Sequence, residues 1–134
     1  GPAIEEIFLR NFYDAYIKRL IVPDDPEKIY EAFKANLSMD FIITTGGTGI
    51  SPRDMTPEVT MEFCDRLVPG ISEIIRAESY KQTAQAMLSR GVAGIKDHTL
   101  IINLPGSVTA VRFCADLLVP VLQHALDMIK GRGH

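Results

Sequence analysis

The sequence predicts an α/β domain, a three-layer sandwich with helices on both faces of a mostly parallel sheet that carries a short antiparallel part. Three observations carry that expectation. Strand-like apolar runs alternate with helical periodicities along the chain, the pattern of layered α/β folds. Phe41–Thr45 opens on a continuous apolar run, as strands covered on both faces do. Two strand-like runs end in glycine corners that lead into helix starts, Gly46-Gly47-Thr48-Gly49 and Pro105-Gly106-Ser107. In open α/β sheets ligands sit outside the carboxyl ends of the strands.

The elements follow in order. Ile4, Ile7 and Phe8 have helical spacing behind Pro2, so a helix is expected up to about Asn11. Tyr16–Val22 is rich in strand formers and is read as a strand. Pro23-Asp24-Asp25-Pro26 ends it, with Asp25 as helix cap and Pro26 at the first helical position. The helix that follows buries Ile29, Ala32 and Phe33, and the strand Phe41–Thr45 comes next. Thr56 is expected to cap a helix whose apolar stripe is Val59, Phe63, Cys64 and Leu67. Pro69-Gly70 is read as a turn, with a helix through Ile71, Ile74 and Ile75 and a short helical piece at Ala84–Leu88. Val92–Ile95 and Thr99–Asn103 flank a Lys96-Asp97-His98 turn, too close for a crossover, and predict a hairpin. Helices are expected after Ser107, through Val111 and Ala115, and again after Pro120.

Composition narrows the function classes. The 134 residues suit one domain, and a 46% apolar content is enough for a core. No apolar run approaches the roughly 18 residues of a membrane span, and no signal-peptide pattern opens the chain. A net charge of −3 without a basic block argues against a nucleic-acid backbone binder. Cys64 and Cys114, among apolar residues, read as reduced core cysteines, which fits a cytoplasmic protein.

The glycine corner at 46–49 is the centre of the functional reading. Glycines reach dihedrals closed to other residues, and exposed N–H groups in such a turn favour an anion, usually phosphate. The turn matches neither the Walker loop nor the dinucleotide fingerprint. Thr44, Thr45, Thr48, Ser51 and Thr56 add hydroxyls, and Arg53 can pair with phosphate or form a surface salt bridge. Asp54, an acid beside an anion nest, calls for a cation such as Mg2+ or else is a turn aspartate, and Asp24 carries the same two readings. Asn103 either fixes a ligand or ties down the second corner. Ser107 either donates to phosphate or caps its helix. His98, His124 and His134 have no metal-ligand spacing and read as structural or solvated.

These residues resemble a known family. Thr44-Thr-Gly-Gly-Thr-Gly-Ile-Ser-Pro-Arg-Asp-Met-Thr-Pro-Glu58, Val22-Pro-Asp-Asp25, Leu88-Ser-Arg90 and Asn103-Leu-Pro-Gly-Ser107 match four ordered segments of the molybdenum-cofactor biosynthesis family. The similarity is strongest to its molybdopterin adenylyltransferase-like branch, related to the plant and gephyrin domains. The resemblance spans residues 1–134 and implies Mg-ATP-dependent adenylyl transfer to molybdopterin, with release of pyrophosphate. It implies that Asp54 and Asp24 are the catalytic carboxylates and hold Mg2+. Thr45, Gly46, Gly47, Thr48, Gly49 and Ser51 would bind the nucleotide and its phosphates. Arg53, Asn103, Pro105, Gly106 and Ser107 would bind molybdopterin. It also implies a homo-oligomer, a trimer or in some bacterial members a hexamer, with small-molecule substrates; the expectation of a cytoplasmic protein without nucleic-acid or membrane partners rests on the composition. Family members usually begin with a strand and a Ser-Asp loop ahead of the segment matching Gly1-Pro2, and neither is present in this sequence. The alternatives are a molybdopterin-binding protein without transferase activity, a domain related to molybdate insertion, and a scaffold or interaction domain that kept the fold, against which the two glycine corners, Arg53 and both aspartates argue.

Overall fold

The computed structural model describes residues 2–12 and 14–131. Its strands are β1 (Phe41–Thr45), β2 (Arg66–Leu67), β3 (Ala93–Lys96) and β4 (Thr99–Leu104). Its helices are α1 (Pro2–Asn11), α2 (Pro26–Ala35), α3 (Thr56–Phe63), α4 (Pro69–Tyr80) and α5 (Val108–Ile129), with a 3-10 turn at Ala84–Leu88. The sheet order is β1-β4-β3-β2. β1 runs parallel to β4, Ile42 beside Ile101, while β4–β3 and β3–β2 are antiparallel. The expected mixed three-layer sandwich is present, and its parallel part is the β1–β4 pair.

β4 is the central strand and shows why the layers form. All six of its residues are buried. Successive side chains of a strand point to opposite faces. Leu100, Ile102 and Leu104 enter the core shared with Phe8, Ile75, Cys114, Leu118 and Leu122, which lie on α1, α4 and α5. Ile101 enters the second core, with Ile29 and Phe33 of α2 and Val59 and Phe63 of α3. Each fully buried aliphatic side chain contributes roughly 1.5–3 kcal/mol.

Several boundaries follow the predicted chemistry. Asp25 caps α2, its Oδ1 accepting from Glu27 N at 3.1 Å with Pro26 next. The hairpin at Asp97-His98 joins β3 to β4, and Asp97 takes φ 53°. Both cysteines are free.

Six expectations are corrected. Tyr16–Val22 is not a strand: it pairs with nothing in the sheet, and Tyr16 and Ile21 are 76% and 99% exposed. Strand-forming side chains alone do not make a strand without a neighbouring ladder. The edge of β1 away from β4 is open among the described residues. A groove of about 720 Å3 there is bordered by both Ile17–Val22 and Phe41–Thr45. β1 is accordingly half-buried instead of covered on both faces. The helix from Thr56 stops at Phe63, so Leu67 leaves its expected stripe and lies exposed in β2. The sheet edge captures that backbone, with Asp65 N donating to Ile95 O and Val68 N to Ala93 O, both at 2.8 Å. Met55, not Thr56, is the cap of α3, and Pro69-Gly70 begins α4 instead of forming a turn. Finally, α5 runs unbroken through Pro120. An interior proline costs about 3 kcal/mol, but Val111, Cys114, Ala115, Leu118 and Leu122 form one buried stripe across it. By length and composition α5 is apolar enough to cross a membrane, yet this stripe packs in the core between α1, α4 and β4.

Candidate active site

The two glycine corners meet. Gly46 N donates to Leu104 O at 3.0 Å, which carries the β1–β4 pairing into both loops. A Cβ on Gly106 would lie 3.3 Å from Gly46 Cα, so the corners are in backbone contact. Gly46 and Gly47 take φ 87° and 70°, left-handed values that glycine adopts without penalty. A Cβ on Gly47 would sit 2.3 Å from Thr56 Oγ1, so only glycine fits where the loop passes the start of α3.

The loop beyond is tied to itself. Ser51 N donates to Asp54 Oδ2 and Asp54 N to Ser51 O, both at 3.0 Å, while Arg53 N donates to Ser51 Oγ at 3.2 Å. Thr56 N donates to Gly47 O at 3.3 Å. Among the described residues nothing accepts from the N–H groups of Thr48, Gly49 or Ile50. Three consecutive free amides beside left-handed glycines make an anion-binding concavity.

The remaining site residues divide. Thr45, Ser51 and Arg53 are exposed, and Arg53 has no ion pair among the described residues. Thr48 is buried in the loop. Asp24 is exposed and borders the same groove as Thr45 and Gly46, whereas Asp54 lies inside the loop, outside the groove lining. Ser107 caps α5, accepting from Ala110 N at 3.2 Å, beside exposed Gly106 and half-buried Pro105. Asn103 is buried beneath the corners, and its amide is fully engaged: Oδ1 accepts from Val92 N at 3.1 Å, and Nδ2 donates to Thr44 Oγ1 at 3.1 Å and Thr60 Oγ1 at 3.0 Å. No group of three His, Cys, Asp or Glu side chains suited to a metal ion occurs among the described residues. His98 and His124 are exposed, and His134 lies outside the described residues. Burial pushes the Cys64 thiol up to about 11 and raises that of Cys114, which disfavours either as a nucleophile.

One group of residues escaped the sequence reading. Arg90 donates from Nε to Gly49 O at 2.8 Å, from Nη2 to Asp54 O and from Nη1 to Glu58 Oε2. Its own N–H donates to Thr48 O at 2.7 Å. Hydrogen bonding from Arg90 holds the Glu58 carboxyl below the usual carboxylate range, and the same bond raises Arg90. Both residues fall in stretches that carry the resemblance, but nothing in their spacing shows that they meet.

Comparisons with known proteins identify the family. The family described as "probable molybdopterin binding domain" matches residues 2–124. The chain belongs to that family. It is 37% identical to the molybdopterin adenylyltransferase of Helicobacter pylori, over 98% of this chain and 77% of that enzyme. It is 39% identical to the molybdenum cofactor synthesis protein cinnamon of Drosophila melanogaster, of which it spans only 22%. Among solved family structures, the molybdopterin biosynthesis Mog protein of Mycobacterium ulcerans matches with a TM-score of 0.87 and 40% identity, over 96% of this chain and 85% of that one.

Proposed function

We propose that this domain transfers the adenylyl group of Mg-ATP to molybdopterin, giving adenylylated molybdopterin and pyrophosphate. One observation carries the reading: two glycine corners in backbone contact, one bearing free amides, can hold two phosphate-bearing groups against each other. The named activity of the Helicobacter relative supports it.

In this reading the terminal phosphate oxygen of molybdopterin attacks the α-phosphorus of ATP. A phosphorus–oxygen bond forms on one side, and the bond to the β-phosphate oxygen breaks on the other. No side chain acts as nucleophile, so the protein's part is positioning and charge stabilisation. The amides of Thr48, Gly49 and Ile50 receive nucleotide phosphate oxygens, with Thr45 and Ser51 at the loop's exposed rim. Arg53 and the Pro105-Gly106-Ser107 corner face the pterin phosphate. Asp54, in the loop, and Asp24, on the groove, would each offer a carboxylate to Mg2+ that arrives on the nucleotide, and no cluster of three such side chains forms a cation cage among the described residues. When bound, that ion neutralises phosphate charge. Asn103 supports both corners from beneath without touching the substrates. The open edge of β1 suits the additional strand that the resemblance places ahead of α1. A cytoplasmic location and assembly into trimers or hexamers belong to the same proposal.

The test is Asp54→Asn, assayed for adenylylated molybdopterin. Turnover is expected to fall by about a hundredfold or more, the scale of losing a charge-stabilising group, with unchanged circular dichroism. Near-normal turnover in a folded variant would reject the role.

A further inference from the structure

We propose that Arg90 is a positioning residue that sets the direction of the anion-binding amides without touching the ligand, an inference that rests on the nucleotide-phosphate reading above. Arg90 binds the carbonyls of Thr48 and Gly49, through its N–H and Nε respectively. A trans peptide is planar, and its C=O and N–H point in opposite directions. Drawing the Thr48 carbonyl toward Arg90 turns the Gly49 N–H away from it. Drawing the Gly49 carbonyl does the same for the Ile50 N–H. These are two of the three amides that lack an acceptor among the described residues. The third hold, on Asp54 O, fixes the far end of the loop beside the carboxylate assigned to catalysis.

The guanidinium suits this task for a geometric reason. It is planar and presents donors along three edges in a rigid fork. Each of Nε, Nη1 and Nη2 is engaged by a different group of the protein, and Glu58 holds the plane in place. The positive charge also stands behind an anion site without entering it. A lysine at this position has one compact donor group on a flexible stem and cannot hold Gly49, Asp54 and Glu58 together.

The experiment compares the full chain with Arg90→Lys and Arg90→Ala. Amide exchange of Ser51, Asp54 and Thr56, which donate within the loop, is expected to quicken by tenfold or more in Arg90→Lys while α5 is unchanged. Inorganic pyrophosphate, titrated by calorimetry, is expected to bind at least tenfold more weakly. In turnover, KM for ATP rises by tenfold or more while KM for molybdopterin stays within twofold, because the hydrogen bonds of Arg90 go to Thr48, Gly49, Asp54 and Glu58 and not to the 105–107 corner. Methylguanidine added to Arg90→Ala restores pyrophosphate affinity. Unchanged loop exchange, equal shifts in both KM values, absence of rescue, or no pyrophosphate binding by the wild type each overturns the proposal. A wild type that binds pyrophosphate in an Arg90-dependent way, yet forms no adenylylated product, retains the proposal and rejects the transferase reading.

Discussion

Asn103→Leu separates a support residue from a ligand contact. Asn103 is 3% exposed, and a leucine of similar size fills its place without a large cavity. The substitution removes three hydrogen bonds, from Val92 N and to the hydroxyls of Thr44 and Thr60. Each contributes about 1 kcal/mol net. Thr60 keeps its bond to Thr56 O at 2.8 Å, so only part of the polar junction is stranded. The sum is about 3 kcal/mol of lost stability, which for a domain of this size lowers the melting temperature by about 10 °C. Urea titration gives the free energy and thermal circular dichroism the midpoint. Turnover per folded molecule, measured well below the new midpoint, is expected to stay within about tenfold of wild type, since in the proposed function the substrates meet the corners and not the amide. A loss of stability below about 1 kcal/mol together with collapsed turnover would refute the reasoning and make Asn103 a direct substrate contact.

Gly47→Ala is expected to cost about 1–2 kcal/mol for a left-handed alanine and to lower turnover further by pushing Thr56 aside. Gly70→Ala, at an open position in α4 with no atom near a new Cβ, is its neutral control, and equal effects of the two would reject the account. The Glu58 carboxyl is held below its ordinary 4.5 by Arg90. Its contribution is therefore present above that value and lost as pH falls through the lower folded one. Thermal midpoints should drop on acidification below about pH 4.5 in the wild type and less steeply in Glu58→Gln, and parallel curves would deny the linkage. The Cys64 thiol, raised to about 11 by burial, should react with an aromatic disulfide at neutral pH at least about a hundredfold more slowly than a free cysteine. Fast labelling of native protein would contradict the burial.

What the sequence disclosed and what it hid have one physical basis. Local chemistry was legible: the Asp25-Pro26 entry to α2 and the hairpin between β3 and β4 are each decided by neighbours within a few positions. Errors fell where a distant partner decides. Tyr16–Val22 has strand chemistry but no ladder, and Leu67 leaves its helical stripe because the β3 edge binds the adjoining backbone. Pro120 carries a strong local stop signal, yet α5 continues because its buried stripe spans several turns on the core. The site divides the same way. Glycines at 46, 47 and 106 announce close approach, because a backbone that must pass another backbone leaves no room for Cβ. Arg90 lies in a stretch that carries the resemblance, but its spacing announces no role, because its partners are fixed only when the chain folds and brings the carbonyls of residues 49 and 54 to its side chain. A ligand-facing loop can therefore be found from its own residues, but the group that holds the loop in its binding shape is found only in three dimensions. If that is the division here, variants of Arg90 should alter substrate binding as strongly as variants of the glycines, although their side chain never meets the substrate.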